Sequence, residues 1–327
     1  MRAVTVDRST LYCVGSSTDP EVVAEALRGH RVRVEPVAPG TALRGSMVAL
    51  AAHDLSGAQL RHIATSTRGS WVHLVSSAPD YPHVPALARH NVVTRSARAY
   101  APSLAEYVVT QHVLRTATAT AVPKPFHRRA AVVLGYGAVG RTVADVLARL
   151  GARVTVVRPR SRVAIRLGAA DSVPLDELPD RFADLMVVAL PGVSALSDFA
   201  GDTLLRCLAL DGHLINPARS APVERAALLR WLAAGTGHLT TDVDDGDQAR
   251  ALAPWVACGR ITRTPHIAWR PWDGDPLYHR DWATIYAAAA TGTPCEQWLR
   301  VDPRVIDPDF LVAPPPTPQE PRCPSGC

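Results

Sequence analysis

Lysine is almost missing from this chain of 327 residues: Lys124 is the only one, against a Lys+Arg total of 35. That excludes a phosphate loop that ends in glycine-lysine, and it leaves Lys124 alone to form a Schiff base. Aromatic residues make up only 6 % of the chain, and no dense basic run alternates with them. A nucleic-acid partner is therefore not expected, although the net charge is +5. No uninterrupted apolar segment is long enough to cross a bilayer. The opening, MRAVTVDRST, lacks the apolar core of a secretory signal. The expectation is a cytoplasmic protein with no membrane partner. Cysteine is sparse and scattered: Cys13, Cys207, Cys258, Cys295, Cys323 and Cys327. Buried free thiols are expected. Cys323 and Cys327 lie close together, but no histidine or second cysteine pair joins them, so no metal site and no disulfide is expected.

What is present centres on Ala130 to Pro159. An apolar run, Ala131 to Leu134, stops at Gly135-Tyr136-Gly137-Ala138-Val139-Gly140. A helix pattern follows, with Val143, Val146, Leu147 and Leu150 on one face, and a second apolar run covers Val154 to Val157. This is strand, glycine turn, helix, strand, the context that gives a G-x-G-x-x-G its meaning. Gly135 permits the tight turn, Gly137 lets the backbone approach a pyrophosphate, and Gly140 lets helix and strand pack closely. The helix N-terminus then offers N–H groups and a positive dipole end to the phosphates.

The length fits two domains. Before residue 100, candidate strands are Leu11 to Val14, Val32 to Val37, Met47 to Ala51, Trp71 to Val75 and Asn91 to Thr94. Candidate helices there are Glu21 to Arg28 and Ser56 to Thr65. Ser103 is positioned to cap a long helix to about Thr116, with Glu106 completing a capping box. Further on, Ala183 to Leu190 predicts a buried strand ending at Pro191-Gly192. Leu204 to Leu210 predicts a helix, His213 to Asn216 a strand, Pro222 to Ala234 a helix, Leu239 to Val243 and Arg260 to Thr264 strands, and Pro276 to Ala290 a helix. The fold class expected is α/β: a doubly wound parallel sheet (Rossmann) for nucleotide binding, plus a smaller flavodoxin-like α/β domain for substrate. The domain boundaries expected are 1–100 with 291–312 for substrate and 101–290 for the dinucleotide. The proline-rich stretch 313–327 is expected to be a disordered tail.

In such sheets ligands sit beyond the C-terminal ends of the strands. Three strand exits carry reactive side chains: Ile215-Asn216-Pro217-Ala218-Arg219, Thr241-Asp242-Val243-Asp244-Asp245-Gly246-Asp247, and Thr264-Pro265-His266-Ile267. Together they supply a planar guanidinium for a carboxylate or carbonyl, a carboxylate, and a proton donor.

With these motifs in this order, the chain resembles the D-isomer-specific 2-hydroxyacid dehydrogenase family from about Trp71 to Pro303. The carriers are Gly135 to Gly140, Leu214 to Arg219, Asp242-Val243, Thr264 to Ile267 and the Ala105-Glu106 helix. The resemblance implies an oxidoreductase that moves hydride between NAD(P)H and a 2-keto or D-2-hydroxy acid. It implies Arg219 as the substrate clamp, His266 as acid and base, and Asp242 beside the nicotinamide carboxamide. It places the backbone N–H groups of Ser77 and Ala78 on the substrate carboxylate. The candidate cofactor contacts are Gly135, Gly137, Ala138, Val139, Gly140, Arg158, Pro191 and Asp242. It also implies a homodimer.

Four departures bear on the chemistry. The family's catalytic glutamate aligns with Asp247, one methylene shorter; there it would orient the His266 imidazole and favour its protonated form. Asp244 and Asp245 are alternatives for that place. Ala78 stands where a glycine is usual, which would strain the backbone if the position needs a positive φ. Ser220 replaces another usual glycine. After the second strand comes Arg158-Pro159-Arg160-Ser161-Arg162 in place of an acidic residue, which suits a 2′-phosphate and makes NADP the favoured cofactor over NAD. Two other readings of the same fold remain: a cofactor-sensing binding protein with weakened catalysis, and a phosphite-type dehydrogenase. Trp269, Trp272 and Trp282 are expected to pack in a core or interface, with a pocket for a bulky side chain as the alternative.

Overall fold

The computed structural model describes residues 6–37, 41–76, 78–81, 83–96, 98–119, 126–159, 165–168, 170–243, 246–270, 277–292 and 299–301. The first unit runs β1 (Thr10–Val14), α1 (Pro20–Ala26), β2 (Arg33–Pro36), β3 (Met47–Leu50), α2 (Gly57–Ser66), β4 (Trp71–Leu74), α3 (Val84–His90) and β5 (Val92–Arg95). Its strands lie in the order β2-β1-β3-β4-β5, all parallel. This is the flavodoxin-like order. Local chemistry sets the helix starts. Asp19 accepts from Glu21 N–H ahead of Pro20, and Ser56 and Gln59 form a reciprocal capping box.

A long helix, α4 (Ala101–Ala119), leads to the second unit. There the order along the chain is β6 (Ala130–Leu134), α5 (Ala138–Arg149), β7 (Arg153–Val157), β8 (Ile165–Leu167), β9 (Ala170–Ser172), β10 (Ala183–Val188), α6 (Asp202–Leu205), β11 (Leu208–Asn216), α7 (Arg225–Ala234), β12 (His238–Thr241), α8 (Gly246–Ala257) and β13 (Ile261–Arg263). In space the strands run β13-β12-β11-β10-β6-β7-β9-β8, parallel except for β8 on β9. The order reverses at β6 and β10, the switch point where a Rossmann sheet opens a crevice. Every residue of β6 is buried, as a strand covered on both faces requires.

The chain then returns to the first sheet through α9 (Leu277–Thr291) and β14 (Leu299–Arg300), which pairs antiparallel with β5. Trp282, Ile285, Tyr286 and Ala289 of α9 pack with Leu11, Met47 and Trp71. Helix α9 therefore covers the first sheet, not the second, where the expected range 101–290 would place it. Its i, i+3, i+4, i+7 apolar face announces burial but not against which sheet.

Two further expectations are corrected. Hydrogen bonding of α4 begins at Ala101, whose N–H reaches Arg98 O at 3.2 Å, and Leu104 N–H reaches Tyr100 O at 3.1 Å. Ser103 thus lies inside the first turn rather than capping it, and Pro102 occupies a turn position whose N–H the helix does not need. Leu204 to Leu210 is not one helix: α6 ends at Leu205 and β11 starts at Leu208, extending the strand back from His213 past a register shift against β10. Of the tryptophans, Trp282 is fully buried in the core, while Trp272 lies outside the described residues, as does 313–327. Cys13 and Cys207 are buried free thiols; Cys258 is exposed. Cys295, Cys323 and Cys327 lie outside the described residues. Among the described residues no helix is long and apolar enough to cross a membrane, and no group of side chains could hold a metal.

Several histidines are sealed in the sheets. His73 of β4 is bonded to Thr94 Oγ1 (2.9 Å) and Ser96 Oγ (2.7 Å), and burial pulls it down to about 3. His112, His213 and His238 form a row, with ring centroids 5.4 Å apart at each step. Burial and the neighbouring imidazoles and Arg115 hold His213 well below the ordinary value. Burial, with Arg115 and Arg260 nearby, lowers His238 to about 4.

Candidate active site

The glycine turn follows β6 directly, and its three glycines meet three different environments. Gly135 has φ +99°, and a Cβ there would sit 2.6 Å from Ala189 O. At Gly140 a Cβ would run into Gly135 O, so helix and turn touch there with no room for a side chain. Around Gly137, by contrast, a Cβ would meet nothing within 4 Å. Gly137 is the N-cap of α5 and makes no side-chain cap. The first turn, Ala138, Val139 and Gly140, therefore presents N–H groups without partners inside the helix, toward an open approach. The residues fit a dinucleotide pyrophosphate. Gly135 N–H donates to Val157 O at 2.8 Å, tying the turn to the end of β7. Arg158 follows at once; its Nε donates to Ser172 Oγ at 3.0 Å. Arg160, Ser161 and Arg162 lie outside the described residues. Across the switch point, Pro191 and Gly192 follow β10.

Gly192 leads to the ionic centre of the site. Its N–H donates to Asp80 Oδ2 at 3.0 Å, and the same oxygen lies 2.9 Å from Arg219 Nε. Arg219 Nη2 reaches Asp80 Oδ1 at 3.5 Å, and Nη1 donates to Ala218 O at 2.8 Å. The backbone around Arg219 is fixed by Asn216, which accepts from Ala218 N–H (3.1 Å) and donates to Arg219 O (2.7 Å). Asp80 comes from the loop after β4, so this pair joins the two units.

The other exits meet one another. Asp242 N–H donates to Asn216 O and Thr264 N–H to Thr241 O, both at 3.0 Å, so the loops after β11, β12 and β13 leave side by side. The Asp242 carboxylate, 1 % exposed, accepts Ile267 N–H at 2.9 Å, Ala268 N–H at 2.7 Å and the Thr264 hydroxyl. Expected beside the cofactor, it is found clamping the loop that carries His266. The single proton of Thr264 goes to Asp242, so Tyr107 OH, 2.7 Å away, donates to Thr264. Burial pushes the Tyr107 phenol up to about 12, with the Asp242 charge adding and the Thr264 bond opposing. His266 is exposed at the top of the clamp, with φ +55° and its N–H on Thr264 O at 3.0 Å. Such a backbone for a non-glycine residue persists only where its surroundings enforce it.

Of the expected carboxylate loop, Ala78 is buried and its N–H donates to Ser76 Oγ at 3.2 Å. Ser77 lies outside the described residues, as do Asp244 and Asp245. Asp247 falls in α8 and its side chain is outside the description. Sequence reasoning missed Gly192, Tyr107 and the ionic role of Asp80. It also missed Arg95, half-buried at the end of β5, whose guanidinium burial lowers to about 10 while the Asp80 charge opposes that shift. Asp80 and Arg95 each follow or end a strand of the first sheet, the one signal that could have found them.

Comparison with known proteins adds to this geometry. Residues 97–268 match the family model described as D-isomer specific 2-hydroxyacid dehydrogenase, NAD binding domain. Several solved structures share the fold. A D-isomer specific 2-hydroxyacid dehydrogenase from Xanthobacter autotrophicus Py2, in complex with NADPH and MES, is 21 % identical with a TM-score of 0.67, covering 91 % of this chain and 99 % of its own. An NADPH-dependent glyoxylate/hydroxypyruvate reductase from Sinorhizobium meliloti, with NADP and sulfate, is 20 % identical with a TM-score of 0.68, over 91 % and 99 %. A 3-phosphoglycerate dehydrogenase from Entamoeba histolytica, with NAD+, is 15 % identical with a TM-score of 0.66, over 87 % and 96 %. A search of curated protein sequences finds no match.

Proposed function

The chain belongs to the D-isomer specific 2-hydroxyacid dehydrogenase family, and on that premise we propose that it reduces a small 2-keto acid to the D-2-hydroxy acid, with NADPH preferred to NADH. The observation that carries this reading is the convergence of three loops at one sheet edge. Arg219, the Asp242 clamp and His266 leave three adjacent parallel strands, separated by β10 from the strand that ends in the glycine turn. We place the protein in the cytoplasm as a homodimer; Val113 and Leu114 on α4, at 41 % and 55 % exposure, offer an apolar face for the second copy.

The turn Gly135 to Gly140, with Arg158 and Pro191, would hold the cofactor, which would supply hydride to C2 of the substrate or accept it from there. The remaining work falls to the chain. Arg219 takes the substrate carboxylate and polarises the C2 carbonyl. Backbone N–H groups at Ser77 and Ala78 share the carboxylate; for Ala78 that means leaving Ser76 Oγ. The His266 imidazole donates a proton to the C2 oxygen in reduction and removes it in oxidation. Asp247 orients that imidazole. The Asp242 clamp holds the backbone from which His266 projects.

The NADPH preference rests on the residue after β7. Arg158 stands where a carboxylate would take the ribose 2′-hydroxyl, and a guanidinium there suits a 2′-phosphate. Absorbance assays with glyoxylate, hydroxypyruvate, pyruvate and phenylpyruvate against both cofactors test the whole reading. Turnover with at least one acid and a lower KM for NADPH is expected. No turnover with any 2-keto acid overturns the activity, and a clear NADH preference overturns the cofactor assignment.

A further inference from the structure

The guanidinium proposed to grip substrate already faces a carboxylate inside the protein. Asp80 meets the side edge of Arg219, with Nε at 2.9 Å from Oδ2 and Nη2 at 3.5 Å from Oδ1. The Asp80 side chain is 6 % exposed and that of Arg219 25 %. Ala218 O takes one proton of Nη1. What faces a ligand is therefore the far edge, Nη1 with Nη2. A guanidinium has five N–H donors in a rigid fork, so fixing one edge fixes the direction of the other.

Three more observations show that the contact is built. Gly192 N–H donates to the same Asp80 oxygen, and a Cβ at Gly192 would lie 2.8 Å from Asp80 Oδ2 and 3.0 Å from Arg219 Cγ. Only glycine fits between them without displacement. The charge of Asp80 also acts on the Arg95 guanidinium, opposing its shift on burial. The trio keeps one net positive charge, enough to attract an anion. Finally, Asp80 and Arg219 come from different sheets, so the pair forms only while the units are closed on each other.

We infer that Asp80 is a positioning residue: it aims the Arg219 guanidinium so that its far edge meets the substrate carboxylate and carbonyl, and it makes that aim depend on closure of the two units. This rests on the function proposed above, and the test separates the two. Oxalate, a two-carboxylate mimic that needs no turnover, serves as the probe, with binding to the NADP-loaded protein followed by calorimetry. In Asp80→Asn the Kd for oxalate is expected to rise at least tenfold, the KM for the 2-keto acid to rise with it, and the Kd for NADPH to stay within twofold. Added to Arg219→Gln, the same change is expected to cost nothing further. If wild type binds oxalate but reduces no 2-keto acid, the proposed reaction fails and the role of Asp80 is still decided by the oxalate arm. Unchanged oxalate binding in Asp80→Asn overturns the inference. Tighter binding overturns it too, because the carboxylate would then compete for the guanidinium instead of aiming it. Failure of wild type to bind oxalate overturns the clamp and the inference together. Should Asp80→Asn not fold, Asp80→Glu keeps the charge, moves it by one methylene, and is expected to fold and lose oxalate affinity by the same criterion.

Discussion

Asp242 and Ala268 are joined by a 2.7 Å hydrogen bond from the Ala268 N–H to a buried carboxylate. The same carboxylate takes Ile267 N–H and the Thr264 hydroxyl, so one side chain holds both flanks of His266. In Asp242→Asn only one of the two acceptor atoms survives, and an amide NH2 is turned toward backbone N–H groups. Leaving buried donors unpaired costs about 1–3 kcal/mol each. A fall in Tm is expected by calorimetry, together with a drop in kcat larger than any change in the Kd for NADPH.

His266→Ala is expected to lower kcat by about 10²–10⁴-fold, the range for loss of a positioned proton donor. The Kd for NADPH, followed by fluorescence, should stay near that of wild type. Equal turnover in the variant removes the assignment.

Gly140→Ala places a methyl group against Gly135 O. Backbone lies on both sides, so no side chain can move to relieve it. The glycine turn must distort, and NADPH affinity is expected to fall more than tenfold in a fluorescence titration. At Gly137, where a Cβ meets nothing within 4 Å, alanine is expected to fold with unchanged Tm and to lose affinity only through its approach to the bound phosphates.

Stability is expected to fall with acid. His73, His213 and His238 all have folded values depressed below the ordinary 6.5, His73 to about 3 and His238 to about 4. Each therefore contributes its stability above about pH 6.5, where the unfolded chain is also neutral. Below that the unfolded chain binds protons that the folded chain refuses, and the contribution drains away, down to about pH 3 for His73 and about pH 4 for His238. Thermal melts from pH 8 to pH 4 should show a steady decline in Tm, and His73→Gln should flatten it. A Tm independent of pH over that range sinks the prediction.

Much of this architecture is readable from residues alone. Continuous apolar runs such as Ala130–Leu134 can be little but buried parallel strands, and a glycine turn between such a run and a helix has few other uses. Arg219 and His266 stand out for the same reason: polar residues at strand exits. Their partners do not stand out. Asp80 and Arg219 are far apart in sequence, and Asp80 is unremarkable there; only the docking of the two units makes them a pair. Asp242 is marked by its place at a strand exit, yet its carboxylate is turned inward by the Ile267 and Ala268 N–H groups, which no pattern advertises. The apolar segment Leu204 to Leu210 fails differently: it satisfies helix and strand periods about equally, and the pairing with β10 decides for the strand.

The return of α9 to the first sheet has a consequence for how the polypeptide is made. Leu11, Met47 and Trp71 leave the ribosome early, but the side chains that cover them, Trp282, Ile285 and Tyr286, are synthesised only after the whole of the second sheet. The first half must wait with an uncovered face while the nucleotide-binding half completes itself. During translation the later-made module is thus the first able to close its own interior, and the earlier-made one is the stretch that a chaperone has reason to hold.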